Sequence, residues 1–192
     1  MSSRLIKIDS PEEVEIAKQL NERTDPEGLR MKRFLAMPDL SRTPGSPLAE
    51  LVEKITVLPR FSDFDIVQVP EIVPYGVSFD LFNFPLDHPV RSKSDTYFLD
   101  DPAPSSSADH HSEKGRAWSG AGNNVLRTHT TVMWYYWLSR PEVKEKIKKS
   151  ESVGALSHGK VYRKDEIDRN HMNVFHQMDG WYLCKKEDHV IT

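Results

Sequence analysis

The amino-acid sequence predicts an α+β fold. Three segments combine helix-capping residues with apolar residues at helical spacing, and two segments near the C-terminal end alternate as β-strands do. A proline-rich stretch between them excludes long helices throughout. The chain of 192 residues has the length of one domain, or of one domain with an appendage.

The first predicted helix covers residues 10–24. Ser10 and Glu13 form a capping box, with proline between them at the first helical position. The apolar residues that follow at helical spacing are Val14, Ala17 and Leu20. We expect residues 25–28 to end this helix as a turn, and we interpret residues 1–36 as an N-terminal helical appendage.

Residues 26–104 hold 11 of the 13 prolines. Because proline interrupts helices, we expect this region to consist mainly of short strands and loops. A helix is predicted over 47–58, and a strand over 64–69. A short strand follows at 125–127. The last predicted helix spans 139–150, where Ser139 and Glu142 form a second capping box.

Two groups of histidines could suggest a metal site, but neither has the residue spacing that is typical of metal ligands. Asp109, His110 and His111 lie in a Ser-, Asp- and Gly-rich stretch over 102–122, which we interpret as a solvated surface loop. His171 and His176 lie in a strand-and-loop setting, not on one helix face. The sequence therefore predicts no metal ligands among its side chains.

Composition excludes several classes of protein. No run approaches 18 apolar residues, and the first residues lack the apolar core of a secretory signal. Cys184 is the single cysteine, so the chain forms no internal disulfide, and a reducing, cytoplasmic location is expected. The net charge of −3 argues against non-specific coating of nucleic acid.

The C-terminal region reads as a β-hairpin, with strands over 160–167 and 174–183 and a polar connection that is longer than most hairpin loops. If the two strands align, one face carries Val161, Arg163 and Asp165 beside Phe175, Gln177 and Asp179. A guanidinium, carboxylates, an amide and a ring could bind a ligand with phosphate, amine and flat-ring parts. The alternative is a half-exposed polar sheet face with surface ion pairs.

Several segments of the chain, in a fixed order, resemble one family. They are MPDLSRTPGSPLAELVEKI (37–55), VPEI (69–72), FDLFNFPLDHPVRSKSDTYFL (79–99), NVLRTHTT (124–131) and GKVYRKDEIDRNHMNVFHQMDGWYL (159–183). Together they resemble the class II aminoacyl-tRNA synthetases, in the form of the catalytic alpha subunit of phenylalanyl-tRNA synthetases. The resemblance implies an antiparallel sheet flanked by helices, with residues 37–192 forming part of the catalytic domain.

The resemblance also implies a nucleotide site. The segment 159–183 resembles motif 2 of the family, and Arg163 matches the motif 2 arginine that clamps the α-phosphate of ATP; it would be the catalytic residue. Phe175 matches the aromatic residue that stacks on adenine. Asp165 matches an acidic residue that contacts ATP, and His171 matches a loop histidine near the phosphates. Mg²⁺ would bridge the phosphates.

Five residues match positions of the family's amino-acid pocket. They are His129, Thr131, Gln177, Asp179 and Phe98. The implied reaction activates phenylalanine as an adenylate and then transfers it to tRNA. The implied partner is a larger beta-type subunit, in an assembly of two alpha and two beta chains. The aromatic stretch 134–137 and the motif 1 region, which includes VPEI (69–72), are candidate interface surface, although for the aromatics we favour packing in the core.

The sequence departs from the family pattern at several positions. Asp165 and Asp179 replace longer glutamates, which shortens their reach by about 1.5 Å. Thr131 replaces a serine, and Trp134 stands where a glutamine is usual. No motif 3 follows motif 2, so we expect the first portion of a catalytic domain, a sheet incomplete at its C-terminal end, and little aminoacylation by this chain alone.

Two other functions stay open on this sequence. One is a sister class II synthetase for another amino acid, which Trp134 favours. The other is a non-catalytic, synthetase-like binding or assembly module, which the missing motif 3 favours and the retained Arg163, Phe175 and Gln177 oppose.

Overall fold

The computed structural model describes residues 5–99 and 124–188. Its strands are β1 (Leu5–Lys7), β2 (Asp65–Gln68), β3 (Ile72–Pro74), β4 (Asn124–Leu126), β5 (Val153–Tyr162) and β6 (Val174–Leu183). Its α-helices are α1 (Pro11–Glu22), α2 (Pro26–Ala36), α3 (Pro47–Thr56), α4 (Tyr75–Ser78), α5 (Met133–Leu138) and α6 (Pro141–Lys148). Short 3₁₀ turns include Asp80–Phe82 and Thr130–Val132.

The main sheet has four strands in the order β1-β2-β5-β6, and β3 and β4 form a separate antiparallel pair. β5 and β6 pair antiparallel over their full length, whereas β1–β2 and β2–β5 are parallel. The predicted α+β class with a helix-flanked sheet is confirmed. The predicted antiparallel pairing holds for the hairpin, and the sheet as a whole is mixed.

The predicted N-terminal helix is confirmed as α1, although its capping box is only half formed. The Glu13 backbone N–H donates to the Ser10 hydroxyl at 3.1 Å. The Glu13 carboxylate does not return to Ser10; it accepts from the backbone N–H groups of Glu71 (2.6 Å) and Ile72 (3.0 Å). The Glu13 side chain, which the sequence pattern assigned to helix capping alone, therefore joins α1 to the start of β3.

Helix α2 was missed in the sequence prediction. The Asp25-Pro26 pair was expected to end α1 as a turn, but Asp25 also begins α2 by accepting from the Gly28 N–H at 3.0 Å. Met31 and Phe34 of α2 are buried with Leu20 of α1 in one cluster. The same cluster includes Ile72, Tyr97, Leu99, Leu126 and Tyr162. Residues 5–36 thus share a core with the rest of the domain.

The hairpin strands differ from their predicted bounds. β5 begins at Val153 and ends at Tyr162, so the prediction that a strand runs from 160 to 167 is wrong at both ends. β6 has the predicted bounds. The capping box predicted at Ser139 is also wrong: its hydroxyl donates to the Tyr135 carbonyl, and Arg140 occupies the N-cap position of α6.

Helices cover both faces of the hairpin. One face packs through Tyr162 and Val174 against the cluster that contains α1 and α2. The other face packs through Ala155 and Trp181 against a second cluster, which includes Trp137 from α5. The aromatic stretch 134–137 is therefore partly core, as predicted: the Trp137 indole N–H donates to Asp65 at 2.9 Å, whereas Tyr135 is exposed.

Two predictions fall where the structure gives no description. The loop over 102–122 and its Asp109-His110-His111 triplet lie outside the described residues. Among the residues that are described, no helix is long and apolar enough to span a bilayer.

Candidate functional site

The register of the hairpin places three of the predicted site residues, all from β6, on one face. Val161 lies directly opposite Phe175 in the antiparallel pair. Gln177 and Asp179 follow Phe175 at intervals of two, so strand alternation puts all three on the face that Val161 shares. The predicted alignment is therefore present for Val161 and these three residues, whereas Arg163 and Asp165 lie beyond the end of β5.

Arg163 reaches this face from just beyond the end of β5. Its backbone N–H donates to the Asn173 carbonyl at 3.0 Å, which extends the hairpin pairing by one step. Its Nε donates to the Thr128 carbonyl at 3.2 Å. Its guanidinium carbon lies 5.0 Å from the centroid of the Phe175 ring, a cation–π distance. Arg163 and Phe175 thus face the same surface although Arg163 is not in the strand.

Gln177 and Asp179 are held by the 3₁₀ turn that follows β4. Asp179 Oδ2 accepts from the hydroxyls of Thr130 (2.5 Å) and Thr131 (3.1 Å). Gln177 Oε1 accepts from the Thr130 backbone N–H at 3.3 Å. The contact between Thr131 and Asp179 joins two predicted residues. Thr130 was not predicted, although it stands between the matched His129 and Thr131.

An aromatic wall closes one side of this surface. The His129 ring lies 4.7 Å from that of Phe82, which also contacts Trp134 at 5.7 Å, and Trp134 lies 5.9 Å from Trp181. His129 Nε2 is 3.2 Å from the Ser78 carbonyl oxygen, so it carries the proton. Burial lowers the pKa of His129, which keeps the ring neutral.

Buried polar atoms without a hydrogen bond accumulate around this wall. Within the described residues they are Ser78 Oγ, Thr128 Oγ1, His129 Nδ1, Trp134 Nε1 and Ser157 Oγ. A buried polar atom without a hydrogen bond costs free energy, and its explanation is a functional role or a water or ligand that completes the bonding. Their position beside Asp179 and Arg163 supports a polar binding site here.

Three predicted site residues do not contact the group formed by Arg163, Phe175, Gln177 and Asp179. Asp165 lies in the loop after β5, since the strand ends before it. His171 lies in the same loop with an exposed side chain, and its Nδ1 is 2.9 Å from Asp168. Phe98 is 8% exposed and packs in the core, where it bridges to Val125. Their roles in ligand binding stay predictions.

The buried Arg127 connects the turn of the site to the sheet, and no role was predicted for it from the sequence. Arg127 donates from Nε to the Lys160 carbonyl and from Nη1 to the Val69 carbonyl, both at 2.8 Å. Its own carbonyl accepts from the Tyr162 N–H at 3.0 Å. Gly159, at φ +150°, leaves room for this guanidinium, because a β-carbon there would lie 2.5 Å from Arg127 Nη2. Arg127 thereby anchors the turn that holds Gln177 and Asp179.

The opposite face of the hairpin carries histidines that do not form a metal site. His176 Nε2 accepts from the Leu40 N–H at 3.0 Å and lies 3.3 Å from Asp39, whereas the His171 ring contacts Asp168 in the loop. In the described part of the chain, no three His, Cys, Asp or Glu side chains group as metal ligands.

His158 on that face predicts a pH dependence of stability. It is 5% exposed, its Nδ1 lies 2.8 Å from the Ser41 hydroxyl, and burial lowers its pKa to about 4. An unfolded histidine has a pKa of about 6.5, so the unfolded state binds more protons between these values. Stability is therefore complete above about pH 6.5 and falls as the pH drops toward 4, by roughly 3 kcal/mol.

Urea denaturation at pH 7, 5.5 and 4 tests this prediction. His158→Gln keeps a hydrogen-bonding group and is expected to remove the part of the slope that His158 contributes. The remaining slope reports the other groups whose pKa values the fold lowers. They are His129 and His176, through burial, and the carboxyls of Asp25, Asp39 and Asp168. An equal slope in the His158→Gln variant would contradict the assignment.

Comparison with known proteins gives one consistent result. The family model described as the tRNA synthetases class II core domain (F) matches residues 35–188. The phenylalanine–tRNA ligase alpha subunit of Mycoplasmoides gallisepticum is 32% identical over 153 residues, which cover 79% of this chain and 37% of that protein. The subunit of the same name from Streptomyces coelicolor is 31% identical over 143 residues, which cover 74% of this chain. That from Coxiella burnetii is 26% identical over 140 residues, which cover 73% of this chain. The chain spans about a third of the length of these curated relatives.

Proposed function

Because this chain belongs to the class II tRNA synthetase core-domain family, we propose that it contributes the nucleotide and amino-acid surface of a phenylalanine–tRNA ligase. The family resemblance seen in the motifs is confirmed by the match over residues 35–188. The observation that carries the proposal is the placement of Arg163 against Phe175 on the face that also bears Gln177 and Asp179.

In the proposed reaction, a carboxylate oxygen of phenylalanine attacks the α-phosphorus of ATP. The new C–O–P linkage is the adenylate, and pyrophosphate leaves. A ribose hydroxyl of tRNA then attacks the acyl carbon and AMP leaves. The carboxylate is already a nucleophile, so the side chains have to position the substrates and compensate charge, and none has to act as a strong base.

Each part of the surface suits one part of the substrates. The Arg163 guanidinium provides positive charge for phosphate oxygens, and the Phe175 ring provides a stacking face for adenine. Asp179 provides a carboxylate for the ammonium of phenylalanine, and Gln177 an amide for its carboxylate. Asp165 and His171 would approach ATP from the loop, and Phe98 and His129 would lie behind the amino acid.

Mg²⁺ is the ion that the family generally uses with ATP. The described residues offer it no cluster of ligands, which suits an ion carried chiefly by the phosphates, because Mg²⁺ keeps waters and few protein ligands. When bound, it would add positive charge at the phosphates beside Arg163.

We propose tRNA and a second, beta-type subunit as the macromolecular partners, in an assembly of two chains of each type within the cytoplasm. The relatives' name, alpha subunit, supports a second kind of chain. Helix α3 supports an interface, because Leu51 is 51% exposed and Val57, just beyond the helix, is 72% exposed. The stoichiometry rests on the family resemblance.

Ligand binding to the chain tests the proposed function. We expect phenylalanine and ATP together to raise the melting temperature, since a ligand at 100 times its Kd stabilises the folded state by about 2.7 kcal/mol. Titration calorimetry with each ligand separately gives the affinities. The absence of any response to ATP at millimolar concentration would contradict the proposal.

Trp134 is the observation that favours a second candidate, a class II synthetase for another amino acid. Its indole stands where the family has an amide, within the aromatic wall, and its Nε1 has no partner among the described residues. A thermal-shift panel of amino acids with ATP separates the candidates. Stabilisation by one other amino acid and not by phenylalanine would establish the second.

A further inference from the structure

We propose that Thr130 is the positioning residue that orients both amino-acid-binding side chains of β6. The inference rests on the proposed function, in which Gln177 and Asp179 bind an α-amino acid. Thr130 itself is fully buried in the 3₁₀ turn Thr130–Val132 and has no exposure to a ligand. It acts through the two side chains it holds.

Thr130 uses two donors for two different acceptors. Its backbone N–H donates to Gln177 Oε1 at 3.3 Å, and its hydroxyl donates to Asp179 Oδ2 at 2.5 Å. Because Gln177 and Asp179 are two positions apart on one strand face, a single residue can reach both. Thr131 reaches only Asp179, at 3.1 Å.

These two bonds decide which atoms remain for a ligand. A glutamine amide has one oxygen and one NH₂ group, so occupation of Oε1 turns the NH₂ donors of Gln177 away from Thr130. Two hydroxyls on Oδ2 leave Oδ1 of Asp179, to which no hydrogen bond is made within the described residues. The surface then offers adjacent NH₂ donors and a carboxylate oxygen, which matches the carboxylate and ammonium of an α-amino acid.

Arg127 explains why Thr130 can hold this position. The arginine bonds the turn's preceding residues to β5 and to the end of β2 through buried carbonyl contacts. The Thr130 hydroxyl therefore comes from a turn that is anchored to β5, and a hydroxyl-to-carboxylate bond is stronger than one between neutral groups.

Two substitutions separate this role from simple packing. Thr130→Val keeps the side-chain volume and removes the hydroxyl, whereas Thr130→Ser keeps the hydroxyl and removes a methyl group. We expect Val to weaken phenylalanine binding about tenfold and Ser to bind within about threefold of the unaltered chain. If Ser binds more weakly than Val, the residue only fills space and the inference is wrong.

Ligand analogues identify the affected group. Calorimetric titration uses phenylalanine, 2-phenylethylamine, which lacks the carboxylate, and 3-phenylpropanoate, which lacks the ammonium. Because the lost bond is to Asp179, Thr130→Val should weaken the first two about equally and leave 3-phenylpropanoate unchanged. Equal weakening of all three would indicate general disruption of the fold and overturn the inference.

A measurement without ligand keeps the inference separate from the proposed function. Failure of the unaltered chain to bind any of the three compounds would contradict the proposed function alone. The side-chain carboxyl ¹³C resonance of Asp179, observed by NMR at neutral pH, then decides the inference. It should shift in Thr130→Val and stay in place in Thr130→Ser; an unmoved resonance in Thr130→Val would refute the positioning role.

Discussion

Replacing Arg163 with alanine is expected to weaken ATP binding by about 10- to 100-fold, because a hydrogen bond to a charged group contributes about 1.5–3 kcal/mol. The guanidinium is the positive group that the structure places on the site face, 5.0 Å from the Phe175 ring centroid. Its loss removes both the proposed phosphate contact and the observed cation–π contact with Phe175. Titration calorimetry with ATP measures the effect.

Arg169→Ala is the matched control for this experiment. Arg169 carries the same charge in the exposed part of the same loop, so its loss tests for non-specific attraction of a polyanion. Arg163→Lys keeps the charge without the bidentate geometry and is expected to fall between the two. Unchanged ATP affinity in Arg163→Ala, with the melting temperature preserved, would remove Arg163 from the nucleotide site.

Lys160→Met is expected to destabilise the fold by about 3–5 kcal/mol, the usual cost of removing one partner of a buried ion pair. Lys160 is 2% exposed, and its Nζ donates to the carbonyls of Phe34 (3.2 Å), Leu35 (3.0 Å) and Met37 (2.7 Å) at the end of α2. The Glu71 carboxylate lies 3.4 Å away. Methionine fills similar space but leaves the three carbonyls and Glu71 without this donor.

Urea denaturation measures the loss, and two further variants interpret it. Lys148→Met removes an exposed lysine paired with Glu145 and is expected to change stability by less than about 0.5 kcal/mol. Adding Glu71→Gln to Lys160→Met removes the carboxylate charge that has lost its lysine partner and should restore part of the loss. A Lys160→Met chain as stable as the unaltered one would show that this helix end needs no buried cation.

The candidate site could be predicted to a useful extent from local patterns. Period-two alternation placed Phe175, Gln177 and Asp179 on one face, and the register confirms that they share it with Val161. The motif resemblance identified the family, which the match over residues 35–188 confirms. The ligand roles of the individual site residues stay predictions, because no bound ligand tests them.

The errors occurred where one local signal suits two structures. Asp25-Pro26 is equally suited to end a helix as a turn and to begin one, so α2 was missed. The residues that follow Tyr162 show a weak period-two alternation, which is compatible with a continued strand. In the structure β5 ends at Tyr162 and these residues form a loop. Local propensity does not resolve these ambiguities. Helix α2 forms because it buries Met31 and Phe34 against residues that are distant in the chain.

By itself, the sequence determined the helices α1, α3 and α6, the alternating strand β6 and the family to which the chain belongs, because these depend on neighbours within a few residues or on ordered motifs. Only the tertiary structure decided that Thr130 bonds to Gln177 and Asp179 and that Lys160 caps α2. These contacts join residues 47 to 126 positions apart. They depend on which faces are buried together, a property of the whole packed chain that no local pattern contains.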